Sequence, residues 1–182
     1  MASAGKEYLT TAIRRLKYYK ELADRTFAQL EDPDFHYQPA TESNSIAVII
    51  QHMAGNMLSR WTNFLTEDGE KEWRRRDEEF TVHDYSRDQL LELWNRGWDC
   101  LLGALQSLNQ DDLLRTVYIR SEPMSAMDAI NRQLAHYPYH IGQIVYLGKM
   151  MRDTQWQNLS IPRGQSAAYN KSAGTRDPAK KF

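Results

Sequence analysis

The sequence is poor in the residues that staple or interrupt a chain. A single cysteine, Cys100, among 182 residues leaves no internal disulfide and excludes a cysteine-built zinc or iron–sulfur site. It also suits a reducing cytoplasm. Nine glycines and six prolines fall below the usual combined share of ~12%, and a long chain with few turn formers favours long helices over many short strands. An excess of one charge is missing too. The 23 Lys+Arg face 24 Asp+Glu, a formal net charge of -1, which removes the basic face that nucleic acid demands. No run approaches the ~18 consecutive apolar residues of a membrane span. The opening MASAGKEYLTTAIRRLKYYK is broken by charges every few residues, unlike a signal peptide. The expectation is a soluble, cytoplasmic protein with neither nucleic acid nor membrane as a partner.

What is present is a globular composition, 41% hydrophobic and 26% charged. At roughly 150 residues per domain, the expectation is one domain over 1–182, with a core at about 6–152 and a packed tail at about 153–170. Four segments carry helical spacing. The first, about 6–30, repeats Leu9, Ala12, Leu16, Ala23 and Phe27, and Asp32-Pro33 ends it. The second starts at a cap near Asn44-Ser45 and runs Ile46, Ile49, Ile50, Met53, Met57, Trp61, Phe64. Ser86 with Gln89 forms a capping box for the third, which carries Leu90, Trp94, Trp98, Leu101 and Leu105. Ser125 caps the fourth, with Ile130, Leu134, Tyr137, Ile141 and Ile144, reaching about Arg152. Between the second and third, EDGEKEWRRRDEEF has no clean period and reads as a solvated connection, its arginines neutralised by flanking acids. RTVYIRSEP reads as an extended crossing closed by Pro123. The residues GTRDPAKKF read as a loose terminus. Four apolar stripes bury each other most simply in an all-α four-helix bundle.

Five histidines remain to be placed. His36 and His83 fall in loops, but His52, His136 and His140 lie on the second and fourth helices. His136 and His140 are four apart and project from one side of a helix, one turn apart. Each of the three precedes a stripe residue by one position (Met53, Tyr137, Ile141), so all share one phase beside the core. Imidazoles so placed can bite one metal ion, and three neutral imidazoles leave a coordination position open, as catalytic sites do. The bland alternative is hydrogen-bonded core histidines. A zinc protease is excluded because His136-Tyr137-Pro138-Tyr139-His140 lacks the glutamate that follows the first histidine of HExxH.

The order of these features resembles the DinB/YfiT-like superfamily: a capped apolar run ending in Gln51-His52, then Leu134-Ala135-His136-Tyr137 and His140-Ile141-Gly142-Gln143. The tail LSIPRGQS, 159–166, is similar to a subgroup of unknown function. The resemblance covers about residues 6–170. It implies a four-helix bundle in up-down-down-up order with a metal site at His52, His136 and His140, holding a divalent ion, nickel or zinc. It also implies a homodimer. Relatives with known activity include thiol S-transferases using bacillithiol or mycothiol and mycothiol-dependent isomerases, so the expected function is a metal-dependent S-transferase acting with a low-molecular-weight thiol on a small-molecule substrate. A non-catalytic metal-binding or stress-response bundle and a metal-dependent hydrolase fit the same ligands. Gln51 and Gln143 are candidates for orienting a ligand imidazole, and Tyr139 for holding a substrate oxygen. Their alternatives are surface glutamines and a packed tyrosine.

Overall fold

The structure, a computed structural model, describes residues 3–173 and 177–182. Among them are six α-helices and a two-stranded hairpin. Ser3 caps α1 (Ala4–Phe27) by accepting from the Lys6 N–H. Asp32-Pro33 does more than stop that helix. It opens α2 (Asp32–His36), where Glu31 and Asp34 form a reciprocal capping box and proline fills the first turn, where its missing N–H costs nothing.

Ser45 caps α3 (Ile46–Trp61) through the Val48 N–H. The expected run to Phe64 is cut short, because Asn63 takes a positive φ of 50° and turns the chain. The Ser86–Gln89 capping box opens α4 (Arg87–Ser107), and Ser125 opens α5 (Ala126–Arg152). α5 continues through Pro138. A short α6 (Ser166–Ala173) lies in the tail.

The expected extended crossing is a hairpin. β1 (Thr116–Ile119) pairs antiparallel with β2 (Glu122–Ser125), Val117 opposite Met124. Arg120 and Ser121 turn the corner in the left-handed region, at φ 57° and 64°. No glycine eases that turn; the Asp68 carboxylate holds it instead, accepting from the N–H groups of Arg120 (2.9 Å) and Ser121 (2.7 Å).

The long helices pack in a closed order: α1 mainly on α5, α3 mainly on α4, with α3–α5 and α1–α4 contacts completing the circuit. Trp94, Trp98, Phe27, Leu16, Met53 and Ile144 fill the space between them. Gly148 lets α5 approach α1, since a β-carbon there would lie 2.5 Å from the Thr26 methyl. α3 departs from the expected single stripe, being buried on nearly every side. Its opening Ile-Ala-Val-Ile-Ile has no polar face, the pattern of a helix covered all round.

The cover on one side is the connection after α3, read from sequence as solvated. The reading holds for Glu72, Arg75, Arg76, Asp77 and Glu78, which are exposed, and fails for Lys71, Arg74 and Glu79, whose charges are paired inward. Arg60 is 5% and Lys71 8% exposed. Ser59 donates to the Gly69 carbonyl (2.7 Å) and accepts from the Lys71 N–H (3.1 Å), and the Lys71 ammonium donates to the Asp68 carbonyl (2.7 Å). The Gly69 N–H reaches Tyr118 of the hairpin at 2.8 Å.

The tail divides into two parts. Its first part lies on the end of α1 through bonds from Arg25 to the Leu159 carbonyl and from Gln29 to the Gln157 carbonyl, with Trp156, Leu159 and Tyr169 half-buried and Ile161 40% exposed. The last residues, expected to be loose, dock as well, with Ala179 fully buried, Asp177 paired to Arg15 and Lys181 to Glu21 on α1. Residues 174–176, part of the expected loose terminus, lie outside the described residues. No helix among the described residues is long and apolar enough to cross a membrane.

Candidate metal centre

α3 and α5 bring His52, His136 and His140 together, their ligand-capable nitrogens all within 4.8 Å of one another. That is close to the span that bonds of about 2.0–2.1 Å allow around one ion. His52 is 5% and His140 8% exposed, and His136 is half-buried. The rings meet edge to face, with centroids 4.7 Å apart for His136–His140 and 5.0 Å for His52–His140.

Each ring is held from behind through Nδ1. His52 Nδ1 donates to Glu79 Oε2 at 2.9 Å, His140 Nδ1 to Gln143 Oε1 at 2.9 Å, and His136 Nδ1 to Gln133 Oε1 at 3.2 Å. An oxygen acceptor at Nδ1 puts the proton there and leaves Nε2 with its lone pair, the usual arrangement behind a ligating histidine. His136 Nε2 and His140 Nε2 then face each other at 3.0 Å. Two lone pairs at that distance repel unless something positive lies near both.

A proton is a poor candidate. Burial, reinforced by the neighbouring His140 and His52 and by Arg132 and Arg60, drives the His136 pKa down to about 4. Burial also lowers that of His140, against the opposing bond to Gln143. At neutral pH the pair is uncharged, and a metal cation is what the donor set fits: three neutral nitrogen ligands of borderline softness.

The structure places the other sequence candidates as follows. Gln143 bonds His140. Gln51 does not reach a histidine; its amide donates to the Ala47 carbonyl of its own helix at 3.2 Å. Tyr139 is 64% exposed and turns its ring edge-on to His140, with centroids 5.0 Å apart. His36 bonds the Tyr85 carbonyl and His83 the Thr81 hydroxyl, both apart from the cluster.

The sequence reading missed Gln133, Arg74, Glu79 and Phe80. Gln133 had a signal, three residues before His136 on the same helix. The other three sit in or beside the 3₁₀ turn Arg76–Phe80, where no period marks them. Arg74 forks onto Glu79, Nε to Oε1 at 2.7 Å and Nη2 to Oε2 at 2.9 Å. Burial pushes the Glu79 carboxyl up, but the bonds from His52 and Arg74 outweigh it and hold it below the ordinary range. Phe80 packs on the His52 ring at 4.7 Å. Beside the centre, a cleft of about 410 Å³ is lined by Glu42, Asn44, Tyr139, Gln143 and Tyr146, among others.

Fold and site together define a mostly helical protein with a histidine cluster suited to a metal ion. The chain belongs to a family of proteins of unknown function, DUF1572, whose sequence model matches residues 3–165. No curated protein matches it.

Proposed function

We propose that this protein is a DinB-like four-helix bundle, in up-down-down-up order, that holds one divalent metal ion on His52, His136 and His140. The observation that carries the reading is the 3.0 Å approach of His136 Nε2 to His140 Nε2, with both Nδ1 atoms already committed to glutamine oxygens. The closed packing order of α1, α5, α3 and α4 supports the bundle. The long connection at 62–86 gives the chain room to return before α4 begins, as parallel neighbours require.

When bound, such an ion supplies Lewis acidity that lowers the pKa of a coordinated thiol or water. The chain's own residues do the rest. Gln133, Gln143 and Glu79 fix the ring tautomers, and Phe80 shields the His52 ring from water. The cleft beside Gln143 gives a small molecule a place next to the histidines. Glu42 is the charged residue among its lining, which favours a neutral or cationic molecule over an anionic one. The activity proposed is transfer to a low-molecular-weight thiol. Metal-dependent hydrolysis and non-catalytic binding are its competitors.

Elemental analysis of untagged protein tests the site: about one equivalent of nickel or zinc is expected, and a sharp loss in His136→Ala. Unchanged metal content in that variant refutes the assignment. A thiol-conjugation assay on a model electrophile, run beside His140→Ala, tests the activity; equal rates in both proteins refute catalysis. A homodimer is also proposed. It is supported by the exposed Tyr139 (64%), Tyr146 (69%) and Met150 (41%) along α5, and a light-scattering mass of one chain overturns it.

A further inference from the structure

We propose that Glu79 is the positioning residue of the histidine cluster: clamped by Arg74 and seated against Gly55, its carboxylate fixes the ring of His52 so that Nε2 faces His136 and His140. The proposal rests on the reading of the three histidines as metal ligands and goes beyond it. It assigns a role to the segment 74–80, which contributes no ligand.

Four observations converge. The first is the support each ring receives. His136 and His140 are backed by glutamines three residues away on their own helix, so α5 alone orients them. His52 has no such neighbour, because the residues three away from it are Ile49 and Gly55. Its support comes from Glu79, 27 residues on, at 2.9 Å.

The second is the clamp. A single carboxylate on a loop swings freely, but two parallel bonds from the planar guanidinium of Arg74 fix both its position and its plane. Arg74 is 2% and Glu79 10% exposed in their side chains, so water does not compete for the pair.

The third is the seat. A β-carbon on Gly55 would lie 2.3 Å from Glu79 Oε1 and 2.7 Å from Cδ. Gly55 stands in the middle of α3, where glycine costs about 1 kcal/mol against alanine. The close approach of Glu79 is what the missing side chain permits. The fourth is Phe80, next in sequence, whose ring lies 4.7 Å from that of His52. The turn thus grips the imidazole by its Nδ1–H and its face.

The chemical consequence is asymmetry. A carboxylate behind an imidazole raises the basicity of the far nitrogen more than an amide does, and Arg74 keeps that carboxylate an acceptor. His52 is thereby the one ligand ring of the three backed by a carboxylate, and that support depends on a connection rather than on a helix.

The test uses the full chain. Gly55→Ala touches no histidine and favours the helix, but displaces Glu79. Glu79→Ala removes the acceptor, and Glu79→Gln keeps an acceptor oxygen without the charge. Zn²⁺ and Ni²⁺ affinities are measured by competition with a chelator. In parallel, ¹⁵N NMR of the metal-free protein reads the His52 tautomer. Weakening of about 10–100-fold is expected for Gly55→Ala and Glu79→Ala, with Glu79→Gln between them and the wild type. The wild-type His52 should carry its proton on Nδ1, and both tautomers should appear once Glu79 is displaced. Gly55→Ala also stands in should Glu79→Ala, which leaves buried Arg74 only its 3.5 Å pairing with Glu70, fail to fold. Wild-type affinity in Gly55→Ala overturns the proposal while the metal site stands. A wild-type protein that binds neither metal overturns the site itself and this proposal with it. A wild-type His52 protonated on Nε2 overturns the role of Glu79 alone.

Discussion

Replacing Tyr137 with Phe isolates what holds α5 in register behind the histidines. Tyr137 follows His136 and is fully buried. Its hydroxyl accepts from Trp61 Nε1 at 3.0 Å and donates to Asn56 Oδ1 at 3.0 Å, joining the end of α3 to the middle of α5. Phenylalanine fills the same volume but orphans two buried polar atoms at once, the indole N–H and the amide oxygen. Each costs about 1–3 kcal/mol when left without a partner. Asn56 is 5% and Trp61 2% exposed, so water offers little relief. The expected loss is roughly 2–4 kcal/mol. In a chain of this size that lowers Tm by roughly 5–15 °C. Urea unfolding with an unchanged m value measures it. A second variant, Trp61→Phe, leaves the bond to Asn56 intact and is expected to cost less. Combined with Tyr137→Phe, it should show a coupling of about 1 kcal/mol or more, since both remove the same bond. A loss below about 0.5 kcal/mol in Tyr137→Phe, or strict additivity of the two, refutes the network.

Asp68→Asn should destabilise the fold at pH 7, with the penalty fading in acid. Burial pushes the Asp68 carboxyl up, but the N–H groups of Glu70, Ser121 and Arg120 and the charge of Arg60 outweigh it and hold it below its ordinary 3.8. A depressed folded pKa stabilises above the unfolded value, and the benefit is lost as pH falls through the folded one. Denaturant midpoints of the two proteins should therefore differ near pH 7 and converge only as pH falls below 3.8 and through the depressed folded value; a constant gap refutes the assignment. Two helical glycines should respond with opposite signs. Gly103→Ala meets nothing within 4 Å and should gain up to about 1 kcal/mol. Gly148→Ala drives a β-carbon to 2.5 Å from the Thr26 methyl and should lose about 1–3 kcal/mol. Thermal melts decide, and stabilisation by Gly148→Ala refutes the close α1–α5 packing.

Much of the architecture was legible because it is local. Ser45, Ser86 and Ser125 announce their helices through bonds to the third residue on, a signal contained in four positions. The cluster was legible for a related reason. The spacing of His136 and His140 is fixed by helical pitch, and His52 sits at the same phase of another core helix. What escaped reading depends on contacts between segments distant in sequence. The Arg120–Ser121 turn carries no glycine, and the carboxylate that holds it lies at Asp68. The final residues look like a charged, loose end until Glu21 and Arg15 on α1 are placed beside them. Gln51 misled because adjacency to a histidine on a helix directs a side chain away from it; the useful offset is three, as Gln133 and Gln143 show.

The aperiodic stretch after α3 has its own logic, and it follows from the helix it covers. α3 is apolar or buried at nearly every position, so α4 and α5 alone do not close it. A third wall is needed, and an apolar one would leave the polar groups of α3 stranded. Of the buried polar groups of α3, Gln51 bonds its own helix and Asn56 bonds Tyr137, which leaves His52, Ser59 and Arg60, all under 10% exposed. The connection answers each in turn: Glu79 for His52, the Gly69 carbonyl for Ser59, and Glu70 at 2.9 Å for Arg60. A segment selected to satisfy three fixed polar points cannot also repeat every 3.6 residues, which is why it looks solvated from its composition. Within a mixed-charge segment that is largely surface, a few residues, Glu70, Lys71, Arg74 and Glu79, form the lining that makes a buried, histidine-bearing helix tolerable.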